Sequence, residues 1–202
     1  YADLNAEHDA LCDYLQYDQA PIRMILMPRG TFKSSISTIG DTLWLLANDP
    51  NARVLLYSDA TEKAEGFLTG IKQHLTGKIQ ASAFRAVYGA WEVDPKQGVW
   101  NQGAITIATR TSGSIEPSVE TAGVETSKTG KHYTRIKFDD LVTDKNVTTR
   151  ELMDKVINVY KNADSLLLRQ GRKDLIGTRW DYGDLYGWLK STFQGDPTLS
   201  IF

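Results

Sequence analysis

Residues 27–35 of the chain are Met27-Pro28-Arg29-Gly30-Thr31-Phe32-Lys33-Ser34-Ser35. An apolar run at 22–27 leads into this stretch, and a segment with helical apolar periodicity at 36–47 follows it. A strand, a short loop and a helix are the context of a phosphate-binding loop, because the loop N–H groups and the helix N-terminus converge on one point. In such a loop Lys33 would bind the β- and γ-phosphates, and the Ser34 hydroxyl would bind Mg²⁺.

The stretch departs from the common pattern G-x-x-x-x-G-K-[ST] at both glycine positions. Met27 and Phe32 stand there, and Gly30 is the only glycine within the loop. These residues alone fit an ordinary strand–turn–helix with a solvated lysine equally well. The rest of the chain has to distinguish the two interpretations.

Composition indicates one globular domain. The chain has 202 residues, 41% hydrophobic and 24% charged, which suffices for a sizeable α/β core. A single cysteine, Cys12, forms neither an internal disulfide nor a cysteine metal cluster, which favours a reducing compartment. No apolar run has the length of a membrane span, so we expect no membrane association and no secretion. The net charge of −2 argues against nucleic-acid binding by the whole surface but leaves local basic patches open.

Apolar runs alternate with helical periodicity along the chain, which predicts an α/β fold with a mainly parallel sheet and helices on both faces. We predict strands at 22–27, 53–57, 104–108, 119–124, 134–138 and 174–176, and helices at 4–17, 36–47, 64–75, 149–169 and 181–190. Residues 77–103 indicate an irregular excursion. One domain is expected at 1–193, with 194–202 as the start of a linker.

A pair of carboxylates, Asp139 and Asp140, follows the alternating strand at 134–138. This is the Walker B pattern, in which the first acid holds Mg²⁺ and the second polarises the attacking water. Many strands end in acidic turns. The pair is informative because a strand separates it from the loop at 27–35, as in P-loop ATPases with an additional strand. The second acid is usually glutamate, and Asp140 is one methylene shorter.

Two further positions are candidates for nucleotide contacts. Loops at the carboxyl ends of parallel strands form the binding crevice, which places Thr178 and Arg179 beside the loop and the aspartates. Gln16 or Gln19 would be placed to hydrogen-bond an adenine edge, although solvated glutamines are more common.

In combination, these segments resemble the ATPase domain of a tailed-phage terminase large subunit, the DNA-packaging motor. The resemblance spans almost the whole chain, and relatives often carry an arginine inside the loop, as Arg29 does. Phe32 departs from a common glycine, and Lys131 stands where many relatives have arginine. The matching segments are His8-Asp9-Ala10-Leu11-Cys12, the loop at 28–34, Thr129-Gly130-Lys131, Phe138-Asp139-Asp140-Leu141-Val142, Gly177-Thr178-Arg179-Trp180 and Asp184-Leu185-Tyr186-Gly187.

The resemblance implies a RecA-like P-loop ATPase of the additional-strand catalytic-acid type, with ATP and Mg²⁺ as cofactors. It implies metal binding by Ser34 and Asp139, and catalytic roles for Lys33, Arg29, Asp140 and Thr178. The nucleotide-binding set would be Pro28, Arg29, Gly30, Thr31, Phe32, Lys33, Ser34, Ser35 and Gln19.

Ring ATPases usually complete the site with a positive charge from the neighbouring subunit. Lys128, Lys131 and Arg135 are our first candidates for this trans-acting charge, and Arg110 is the next. Solvated cations or contacts with DNA phosphates explain these residues equally well. Arg29 is expected to act in cis.

The implied partners are double-stranded DNA, the portal protein and procapsid, and the small terminase subunit. The implied assembly is a ring, expected to be a pentamer, at the portal vertex in the host-cell cytoplasm, with a monomer expected in isolation. The family's nuclease domain normally follows the motor. Its carboxylate cluster is absent from this sequence, so we expect the motor half.

Other readings of the sequence remain open. A helicase or another RecA-like ATPase shares the loop and the acid pair. A GTPase is disfavoured, because Thr143-Asp144-Lys145-Asn146 does not supply the guanine-reading N-K-x-D pattern. A non-catalytic module with an inactive loop is suggested by Phe32.

Overall fold

The computed structural model describes residues 4–76, 83–94, 96–126, 128 and 130–202. The α-helices are α1 (Ala6–Tyr17), α2 (Asp41–Asn48), α3 (Thr61–Thr76), α4 (Ala83–Tyr88), α5 (Arg150–Asn162) and α6 (Leu185–Thr192). A π-helix, Ser35–Gly40, precedes α2, and a 3₁₀-helix, Ala163–Leu166, follows α5. The strands are β1 (Ile22–Leu26), β2 (Val54–Ser58), β3 (Ala104–Ile105), β4 (Val119–Gly123), β5 (Tyr133–Asp139), β6 (Leu167–Gly177) and β7 (Leu199–Ile201).

These strands form a seven-stranded sheet in the order β3-β4-β2-β5-β6-β1-β7. Every neighbouring pair is parallel except β3 and β4, which are antiparallel. The predicted α/β fold with a mainly parallel sheet is therefore confirmed.

Helices cover both faces of the sheet, as the alternation of side chains along each strand requires. In β1, Ile22 and Met24 face the side covered by α5 and α6, whereas Ile25 packs under α1. In β2, Val54 and Leu56 face α2 and α3. Leu55 and Tyr57 of the same strand pack on the opposite face, so β2 is buried on both sides, which explains its nearly continuous apolar run.

A buried ionic network lies between α2 and the sheet. Lys137 donates from Nζ to Asp174 Oδ2 at 2.9 Å and also to Asp41 of α2. Arg23 binds both carboxylate oxygens of Asp174, at 2.7 and 3.0 Å. Burial alone would raise the pKa of Asp174, but Arg135, Lys137 and Arg23 hold that pKa well below its usual value. The network fastens the start of α2 to β1, β5 and β6.

Three predicted boundaries are wrong. The helix predicted at 149–169 ends at Asn162, and the chain then forms β6, whose eleven residues pair with β5 and β1. The strand predicted at 104–108 contains only Ala104 and Ile105. The last helix begins at Leu185 and not at 181, because the Asp184 side chain, not Asp181, caps it by accepting a hydrogen bond from Gly187 N.

Residues 194–202, expected to begin a linker, return to the sheet. Strand β7 within this segment pairs in parallel with β1, and Phe202 N donates to Met24 O at 2.9 Å. Phe202 also packs on Tyr14 of α1, with ring centroids 5.4 Å apart. The segment is therefore part of the domain.

Thr129, and residues 77–82 and 95 of the predicted excursion, lie outside the described residues.

Candidate functional site

Three loops meet where β1, β6 and β5 end side by side. Met27 N donates to Gly177 O at 3.2 Å, and the Thr178 hydroxyl donates to Met27 O at 2.9 Å. On the other side, Asp140 N donates to Ile176 O at 2.9 Å. These bonds fix the loop at 27–34, the acid pair and the segment at 177–180 relative to one another, and they place Thr178 beside the loop as predicted.

The first acid, Asp139, is buried and bound by hydroxyl groups. Ser34 Oγ donates to Asp139 Oδ1 at 2.9 Å, Thr38 donates to Oδ2, and Ser58 Oγ donates to the Asp139 carbonyl at 2.8 Å. Burial raises the pKa of Asp139 from its usual 3.8 to about 6, although the hydrogen bond from Thr38 opposes this rise. A carboxylate joined to a serine hydroxyl is an oxygen donor set of the kind that Mg²⁺ prefers, so these residues fit such an ion.

The second acid, Asp140, faces outward. Its side chain is 40% exposed, and its Oδ1 lies 3.9 Å from Nζ of the buried Lys33. The backbone of Asp140 has φ +48°, a left-handed conformation that aspartate adopts more readily than most residues. The arrangement leaves a carboxylate open to solvent next to the Lys33 ammonium.

The loop adopts the turn that the missing glycine would favour. Phe32 has φ +55° and Gly30 has φ +80°, so Phe32 takes up the left-handed conformation itself, at a cost of roughly 1–2 kcal/mol. The Phe32 ring lies edge-on to His8, and His8 Nε2 hydrogen-bonds Thr31 O at 3.1 Å. His8 was not predicted as a site residue. The only indication of His8 in the sequence was that it belongs to the segment at 8–12, one of those that carry the family resemblance.

The segment at 177–180 also contacts the loop through an aromatic ring. The Arg29 guanidinium lies 4.5 Å from the centre of the Trp180 ring. Arg179 does not join it and instead lies over Tyr182. Gly177 is required by packing, since a Cβ there would lie 1.8 Å from the hydroxyl of the buried Tyr186. Within the loop, Thr31 Oγ1 donates to Pro28 O at 2.8 Å, which closes the turn.

A cavity of about 330 Å³ opens between α1 and the start of α2. Gln16 lines it, together with the exposed Trp44. Gln19, the predicted adenine contact, is not among its lining residues, and the Gln19 amide oxygen accepts a hydrogen bond from Arg172. Of the two glutamines named from the sequence, only Gln16 therefore lines this cavity. The remaining lining residues are Cys12, Leu15, Ser35, Ile36, Gly40 and Asp41.

Each of the four candidate trans-acting cations is bound within the chain. Lys128 and Lys131 donate to Glu120 Oε1 at 2.7 and 2.8 Å. Arg135 pairs with Asp174 at 3.2 Å, and Arg110 donates to Ser114 Oγ at 2.9 Å. Each of the four therefore has a hydrogen-bond or ion-pair partner within the chain.

Two further features are absent from the described residues. No helix among them is long and apolar enough to cross a membrane. The described part of the chain also contains no group of three or more His, Cys, Asp or Glu side chains placed to hold a metal ion.

Comparisons with known proteins give a likeness in fold. No protein-family model matches the sequence, and no curated protein matches it. Among solved structures, the chain is similar to the large terminase from a thermophilic bacteriophage, with a TM-score of 0.56 and 8% sequence identity. The match covers 98% of this chain but only 44% of that terminase. At this identity the likeness shows the fold alone, and it confirms the predicted RecA-like α/β architecture.

Proposed function

We propose that this chain is the ATP-hydrolysing motor domain of a viral large terminase, which drives double-stranded DNA into a procapsid. One observation carries the proposal. In a fold shared with a phage large terminase, the pair Lys33-Ser34 and the pair Asp139-Asp140 meet at adjoining strand ends, with Ser34 2.9 Å from Asp139 and Lys33 3.9 Å from Asp140.

Each residue at this junction has a role in the proposed reaction. The loop N–H groups and Lys33 bind the β- and γ-phosphates of ATP, and Ser34 with Asp139 holds Mg²⁺. A Mg²⁺ ion held by Ser34 and Asp139 would neutralise negative charge on the phosphates. Asp140 orients the attacking water and accepts its proton. Arg29 contributes a second cation from inside the loop once it leaves the Trp180 ring.

The cavity between α1 and α2 is the proposed site for the adenine base. It adjoins Ser35 at the end of the loop, so a base there would remain connected to phosphates at Lys33. Trp44 provides an aromatic surface, and the Gln16 amide provides a donor and an acceptor for the adenine edge.

The remaining parts of the proposal concern assembly. We place the motor in a ring at the portal vertex in the host cytoplasm, with portal protein, procapsid and small terminase subunit as partners. For Lys128 or Lys131 to supply a trans-acting charge to a neighbouring subunit, its ammonium group would first have to break its hydrogen bond with Glu120.

Stimulation of ATP turnover separates the motor from its main alternative. Turnover should rise severalfold when procapsids and double-stranded DNA are added together, and less with either alone. A helicase-like ATPase would instead respond fully to nucleic acid without procapsids. Turnover that is insensitive to both additions would contradict the motor assignment.

A further inference from the structure

The helix after the loop begins as a π-helix rather than the predicted α-helix. Asp41 N bonds to Ile36 O, five residues back, which widens this turn. Such turns are rare and are frequently found at functional sites. The Ser37 carbonyl accepts a hydrogen bond from Nζ of the buried Lys137 at 2.7 Å. The widened turn is therefore hydrogen-bonded to β5, the strand that ends in Asp139.

Within this turn Thr38 is fully buried and points at the site. Ser34 and Thr38 are four residues apart, so their hydroxyls lie on one side of the helix. Ser34 donates to Oδ1 of Asp139 and Thr38 donates to Oδ2, so both oxygens of this carboxylate are bound. Only the first of these donors belongs to the loop at 27–35.

We propose that Thr38 is a positioning residue that orients the Asp139 carboxylate for Mg²⁺ binding. This inference rests on the proposed function. A hydroxyl that donates to a carboxylate makes a strong, directional bond, and Thr38 thereby prevents rotation of Asp139. Without this donor, Oδ2 would be a buried acceptor lacking a partner, and the carboxylate would turn to compete for the Ser34 hydroxyl. Ser34 would then be drawn from the position in which it faces both the ion and Asp139.

The test compares Thr38→Val, which removes the hydroxyl but keeps the shape, with Thr38→Ser, which keeps the hydroxyl. Ser37→Ala is a matched control, because Ser37 is equally buried in the same turn and its hydroxyl has no hydrogen-bond partner. The measurement is the Mg²⁺ concentration for half-maximal binding of a fluorescent ATP analogue. We expect Thr38→Val to raise it by roughly tenfold or more. Thr38→Ser and Ser37→Ala should stay within about twofold of the wild type.

A purely structural role would give a different result. Thr38→Val would then lower the melting temperature measured without metal and leave the Mg²⁺ midpoint unchanged, which would overturn the inference. If the valine variant does not fold, Thr38→Ala replaces it under the same criterion. A wild-type protein that shows no Mg²⁺-dependent nucleotide binding would instead defeat the proposed function. A normal wild type with an unchanged Thr38→Val midpoint defeats only the role of Thr38.

Discussion

Left-handed backbone conformations occur on both sides of the candidate site, at Gly30 and Phe32 in the loop and at Asp140 after β5. Such conformations persist where the surrounding structure enforces them, and they are concentrated at functional sites. Here they turn the chain between Pro28 and Lys33 and aim the Asp140 carboxylate toward Lys33. At the second glycine position of the common pattern the left-handed conformation is thus taken by a strained phenylalanine, and Gly30 supplies another inside the loop.

The requirement at Gly30 is testable by a pair of alanine substitutions. A Cβ at Gly30 would meet open space, so Gly30→Ala has only the cost of its φ of +80°, about 1–2 kcal/mol of unfolding free energy. Gly66 is exposed in α3 and equally uncrowded, so Gly66→Ala should stabilise by about 0.5–1 kcal/mol. Denaturant unfolding of both variants checks the pair. A Gly30→Ala variant that matches Gly66→Ala would contradict the described loop conformation.

A second residue-scale prediction concerns pH and the buried Asp139. Because burial raises its pKa from 3.8 to about 6, the folded protein binds this proton more tightly than the unfolded chain. The wild type should therefore lose stability relative to Asp139→Asn as pH rises from about 4 to about 6, by at most ~3 kcal/mol. Unfolding of both proteins in metal-free buffer across this range measures the difference. A difference that is constant with pH would show that Asp139 titrates normally.

Among the elements, the strands buried on both faces were the most predictable from sequence, and β1, β2, β4 and β5 lie within about one residue of expectation. The helix at 149–169 was predicted too long because the apolar run at 166–168 fits a helix and a strand equally well. Strand β7 has only three residues, too few for a distinctive pattern, and it forms only by pairing with β1. It was therefore not predicted from the sequence.

The candidate site was partly predictable for similar reasons. Lys33, Ser34, Asp139 and Asp140 follow from local patterns, and the parallel sheet brings them together. The π-helix, the second hydroxyl from Thr38 and the position of Gln16 in the cavity depend on how α1 and the sheet pack. No local pattern encodes that packing.

Cys12 provides a direct probe of the cavity between α1 and α2. It is the only cysteine in the chain, it lines the cavity, and its pKa is raised by burial and then by Asp9, Asp13 and Asp41. We predict that saturating Mg²⁺-ATP slows its alkylation at mildly alkaline pH severalfold, and that Lys33→Ala removes this protection. Alkylation that proceeds equally fast with bound ATP would place the base elsewhere.

Across the whole molecule, the sheet collects the proposed phosphate, metal and water-activating groups at the carboxyl ends of β1, β5 and β6. The buried network of Arg23, Asp41, Lys137 and Asp174 joins the helix after the loop to these same strands. The likeness in fold to a large terminase extends over 98% of the chain.

The central claim is that this junction hydrolyses ATP, and paired measurements of turnover and binding test it most directly. Lys33→Ala removes the loop's buried cation and should abolish both Mg²⁺-ATP turnover and tight binding. Asp140→Asn tolerates the same left-handed backbone, so it should bind ATP normally but lose turnover by about 10²-fold or more. The predicted result is that the wild type hydrolyses ATP, that Lys33→Ala loses both turnover and binding, and that Asp140→Asn loses turnover alone. Turnover within a few-fold of the wild type in Lys33→Ala would contradict the account.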